Sequence, residues 1–95
     1  MSAFIGSMEI DIYCPENFSL KDKRSVLSSI IERVTNKFNV SVSEIDHQEH
    51  HRLSTLAFVT VGTSRENVQC RLDEIEELIH GRHEIQVRDL RRALL

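Results

Sequence analysis

The sequence predicts a single α+β domain of the ferredoxin-like class, and three observations carry that expectation. Near both ends of the chain apolar residues recur with a period of two, the signature of strands with one buried face. Between capping residues and stop residues they recur instead at spacings of three and four, which places them on one stripe of a helix. Read in order, the segments give β-α-β-β-α-β, four antiparallel strands with two helices on one face. Right-handed crossovers put the first and third strands in the centre, a sheet order of 4-1-3-2.

The first strand is read from Met8, Ile10, Ile12 and Cys14, which alternate with Glu9, Asp11 and Tyr13 before Pro15, Glu16 and Asn17 break the pattern. Ser19 is the expected N-cap of the first helix, with Asp22 completing an S-x-x-D box. Leu20, Leu27, Ile30, Ile31, Val34 and Phe38 form its apolar stripe, and Asn39 is the stop. Val40 and Val42 open the second strand. Ile45 breaks the alternation, so a bulge or strand end is expected near Ser43 and Glu44. Asp46 to Arg52 reads as a polar connection. Leu53 to Val61 is rich in β-branched residues and reads as a central strand with both faces largely covered, ended by Gly62. Thr63 and Glu66 form a second capping box, with Ser64 as the competing cap. Val68, Leu72, Ile75 and Ile79 mark the second helix, closed by Gly81. Ile85 and Val87, between Glu84, Gln86 and Arg88, give the last strand. The expected core contains Ile10, Ile12, Leu27, Ile31, Val34, Leu72 and Ile75.

Composition narrows the function classes. Ninety-five residues suit one domain, 1–95, with one two-layer core. A net charge of −3 argues against a generic nucleic-acid coat but leaves room for a local basic patch. Apolar runs are far too short for a membrane span, and the N-terminus lacks the basic region that opens a signal peptide. Cys14 and Cys70 are not at C-x-x-C spacing and fall at apolar positions. Reduced core thiols in a cytoplasmic protein are the simplest expectation.

Two segments are distinctive together, SLKDKR at Ser19–Arg24 and FNVSVSEIDHQ at Phe38–Gln48, and TLAFVTV at Thr55–Val61 follows them before a capped helix. They resemble the bacterial YlxP-like family of unknown function, over nearly the whole chain. The resemblance implies a ferredoxin-like fold and no established chemistry. It also implies work near the ribosome, since genes of that family tend to sit among those for translation initiation and ribosome maturation.

The most suggestive segment is SLKDKR. Lys21, Lys23 and Arg24 stand in the first turn of a helix, at the positive end of its dipole, where cations oppose the field. Unfilled N–H groups, the dipole and three cations together suit an anion, most naturally a phosphate, held by Ser19, Lys21, Lys23 and Arg24. The bland reading is that Asp22, Glu16 and nearby carboxylates neutralise the cluster. A second basic edge is expected at Arg88, Arg91 and Arg92, or else a frayed solvated tail.

Other chemistries find less support. Asp46, His47, Glu49, His50 and His51 are competent ligands, but their spacing matches no metal motif, so neither a metal nor a cofactor is expected; Asp46 is expected to tie the turn by accepting backbone N–H bonds. Base stacking on the sheet would have only Tyr13 and Phe58, beside Glu9 and Asp11, which repel phosphates. Acylphosphatases share the topology, yet the loop CPENFSLKDKR lacks the glycines of their phosphate cradle, and Glu44 with Asp46 reads as surface acids rather than a catalytic pair. The expected function is therefore non-enzymatic: an accessory module contacting RNA or a ribosomal particle. The alternative is a protein-interaction module forming a homodimer through its sheet face, with Ala57, Val59 and Val61 exposed if Leu56 and Phe58 face the helices.

Overall fold

The computed structural model describes residues 2–95. Six elements follow in order: β1 (Phe4–Tyr13), α1 (Leu20–Lys37), β2 (Val40–Asp46), β3 (Leu53–Gly62), α2 (Arg65–His80) and β4 (Gln86–Leu94). The strands form one antiparallel sheet ordered β2-β3-β1-β4, which is the expected 4-1-3-2. Both helices pack on the same side, and the core is the layer between them and the sheet. Met8, Ile10 and Ile12 of β1 and Leu56 and Phe58 of β3 meet Leu27, Ile30 and Val34 of α1 and Val68, Leu72, Ile75 and Ile79 of α2 there. Among the described residues no helix is long and apolar enough to cross a membrane.

Several boundaries move for identifiable reasons. β1 starts four residues before Met8 because Gly6 occupies an inward position and hides the apolar period. A Cβ there would run into Val68 Cγ1 of α2, so the missing side chain is what lets helix and sheet close. β4 continues six residues past Arg88, paired with β1 through Gly6↔Leu94. Its pattern is hidden because Arg92 points to the helix side, where Asp73 and Glu76 of α2 hold it. Ser64, not Thr63, caps α2 by accepting the Asn67 N–H. The β2 irregularity falls between Glu44 and Asp46, leaving Ile45 as the extra residue. Ile31 is only half-buried beside the fully buried Ile30, and Cys70 is exposed rather than in the core.

The outer face of the sheet, away from the helices, is graded along its length. The register places Ile5 beside Val61, and Ser7 between Val59 and Ala93. Next come Glu9 with Ala57 and Arg91, then Asp11 with Thr55 and Asp89, and finally Tyr13 with Leu53. One end is apolar and uncharged, the middle is charged, and the far end is aromatic.

Candidate functional site

Two surfaces meet the sequence expectations: the first turn of α1 and the outer sheet face. At the first turn, Ser19 and Asp22 form the expected box. Ser19 Oγ accepts the Asp22 N–H at 3.0 Å, and Asp22 Oδ2 accepts the Ser19 N–H at 2.9 Å. That backbone N–H, with the Ser19 hydroxyl behind it, holds the Asp22 carboxyl below its ordinary range. The helix therefore supplies its own anion at the cap.

Lys23 corrects the expectation of a three-cation cluster. It shares the buried stripe of α1 with Leu27, Ile30 and Val34, and it is wholly inaccessible. Its ammonium donates to the carbonyls of His47 at 2.6 Å, His50 at 2.5 Å and Leu53 at 2.8 Å. Glu44 Oε2 lies 3.0 Å away and also accepts from Ser54 Oγ at 2.6 Å. A lysine has three donors, and four oxygens surround these. None is left for an external anion. The cation fixes the β2–β3 connection to α1, and within that connection His47 takes a left-handed φ of 63°, rare for a residue with a side chain. The spacing 23, 27, 30, 34 puts Lys23 on the buried stripe, but its partner Glu44 lies on another element, so the sequence reading missed this role.

What remains at the first turn is Lys21 and Arg24, both exposed, with Arg24 Nη2 3.8 Å from Glu49. The histidines serve the turn. His50 Nδ1 accepts the N–H groups of Arg52 and Leu53, and Asp46 Oδ1 accepts the His47 N–H as expected. The His50 and His51 rings stack on each other.

The C-terminal arginines do not form one basic edge. Arg91 reaches Glu9, Asp11 and Asp89, all within 3.3 Å, and Arg92 bridges Asp73 and Glu76. Arg91 holds the Asp11 carboxyl low, against its partial burial, and Thr55 Oγ1 assists at 2.9 Å. The carboxylates in turn push the Arg91 guanidinium further up. Only Arg88 of the three lacks a carboxylate partner among the described residues. Its guanidinium carbon lies 4.1 Å from the centre of the Tyr13 ring, and that of Arg52 lies 4.6 Å away. Phe58, the other aromatic considered for stacking, faces the helices and is buried.

The apolar end of the sheet face is as expected for Leu56 and Phe58 turned inward. Val59 and Val61 are 46% and 45% exposed, Ile5 is 37% exposed, and Ala57 is half-buried. The strand is thus covered on one face only, not two. Ile5, Asn39, Val40, Ser41 and Val59 border a shallow groove of about 200 Å³. Scattered apolar side chains are common on surfaces; here they are neighbours on the two central strands.

A family model described as "Protein of unknown function (DUF503)" matches residues 5–92. The chain is 37% identical over 82 residues to the uncharacterized protein YlxP of Bacillus subtilis (strain 168), across 86% of this chain and 89% of that protein. Among solved structures, the de novo designed protein Foldit4 matches with a TM-score of 0.56 at 13% identity, covering 97% of each chain. That last likeness concerns the fold alone.

Proposed function

The chain belongs to the DUF503 family of proteins of unknown function, and from that premise we propose that it is an accessory binding module that pairs with a second copy through the outer face of its sheet. One observation carries the reading: Ile5, Val59 and Val61, half-exposed and adjacent on the two central strands. Their neighbours on that end of the face, Ser7, Ser41 and Ala93, bear no charge. A second copy related by a two-fold axis can therefore lay the same patch on it without burying a charge, whereas the acidic middle of the face opposes a polyanion. Light scattering of the full chain over a concentration series tests this. A dimer is expected, and Val59→Asp is expected to give a folded monomer. A parent that stays monomeric throughout refutes it.

A second reading, contact with RNA or a ribosomal particle, is favoured by Lys21 and Arg24, which stay exposed in the first turn of α1. Lys21→Ala with Arg24→Ala would then weaken RNA binding evenly across sequences and flatten its salt dependence. Unchanged binding and salt dependence would remove that reading while leaving the dimer untouched.

A further inference from the structure

The aromatic end of the sheet face holds a cluster that neither reading uses. Tyr13 closes β1, Arg52 directly precedes β3, and Arg88 sits where the β1–β4 register shifts. Both guanidiniums lie over the Tyr13 ring, and Arg52 Nη2 donates to its hydroxyl. Arg52 Nε is buried with no hydrogen-bond partner, a state that ordinarily costs stability unless another group answers it.

Charge is also left over here. Among the described residues neither Arg52 nor Arg88 reaches a carboxylate. The acids nearby in the fold are committed elsewhere: Asp11 and Asp89 to Arg91, and Glu84 to Arg82 at 3.1 Å. Among the described residues the Arg88 side chain makes no hydrogen bond, so its N–H groups stay available in a fixed fork that matches an oxyanion, and Arg52 adds its uncommitted Nη1 beside them. Beside the cluster lies a cavity of about 210 Å³, lined by Tyr13, Pro15, His83, Glu84, Ile85 and Gln86. It is below the usual range for whole drug-sized ligands and of a size for one flat nucleobase.

We propose that Arg52, Tyr13 and Arg88 bind the phosphate of a nucleoside monophosphate unit, with its base in the adjoining cavity. The site is independent of the dimer and of the first turn of α1. Tyr13 is the sole tyrosine in a chain without tryptophan, so intrinsic emission reads this site directly. Titrations of the full chain with inorganic phosphate, AMP and a 5′-phosphorylated uridine tetranucleotide test it. Both nucleotides are expected to change Tyr13 emission, and AMP to bind more tightly than inorganic phosphate. If the tetranucleotide is preferred, the unit comes from RNA; if AMP is preferred, it is a free nucleotide. Arg88→Gln, at an exposed edge-strand position, should weaken binding about tenfold or more, as loss of charge-assisted hydrogen bonds implies. Arg52→Gln should do the same, while Lys21→Ala with Arg24→Ala should not. Silent emission with both nucleotides overturns the proposal. So does equal affinity for AMP and inorganic phosphate, or an Arg88→Gln protein that folds and binds as the parent does.

Discussion

The connection between β2 and β3 and the outer face of the sheet handle their demanding groups in opposite ways. In the connection, a lysine, a glutamate, a serine and three carbonyls close on one another until the ammonium has no donor left. On the outer face, β-branched side chains stay half-exposed, and two guanidiniums have no carboxylate partner among the described residues. The difference teaches where to look for function in this molecule. A cation written beside a helix start is not a binding group if the fold has already spent it, whereas an apolar row or an unpaired arginine still has something to gain from a partner.

The comparison breaks first at Lys23. Lys23→Met leaves Glu44 with only the Ser54 hydroxyl, and three inward carbonyls without the ammonium, and removal of one partner of a buried ion pair costs about 3–5 kcal/mol. Urea denaturation of the variant measures it, and parent-like stability would mean that the cluster does not hold the fold. When Lys23 and Arg24 are both replaced by Ala, nearly all of the loss should follow the buried Lys23 and little the exposed Arg24. Leu27→Ala, one turn along the same stripe and almost fully buried, should cost about 2–5 kcal/mol from transfer and cavity alone. Gly6→Ala sharpens the view of how α2 meets the sheet. Its Cβ would strike Val68, and overpacking of this kind costs about 1–3 kcal/mol, seen as a lower melting temperature.

These effects also mark what was legible in the sequence. Element order and the inward face of β1 followed from periodicity, because burial imposes it, and the sheet order followed from crossover handedness; the one-sided burial of β3 did not, since its apolar run read as covered on both faces. The misreadings fall where a residue breaks the period for a structural reason. Gly6 stands where a side chain would collide, Arg92 turns inward to meet two acids of α2, and Lys23 occupies an apolar position because Glu44 and three carbonyls await it. Only pairing across the fold reveals such positions, and no local window contains it. The site was legible in the same measure: Val59 and Val61 fell where strand alternation puts them, but the Arg52–Tyr13–Arg88 cluster joins three distant segments.

Acid provides the smallest test. Arg91 holds the folded Asp11 carboxyl below its ordinary value near 3.8, and the cap at Ser19 does so for Asp22. A depressed carboxylate contributes stability that is present above its unfolded value and lost as pH falls through its folded one. Stability should therefore decline below about pH 3.8, from these groups, and Arg91→Gln should make that decline shallower. An unchanged acid limb would show that the Arg91 contacts on the outer face carry no net weight, as exposed pairs often do not.

Methyl-selective NMR of the full chain across a concentration series tests most directly whether the outer face is the surface that seeks a partner. Concentration-dependent shifts are predicted at the methyls of Ile5, Val59 and Val61, with those of the buried Leu27 and Ile30 unmoved. Spectra that do not change with concentration, or changes that avoid these three residues, would contradict it.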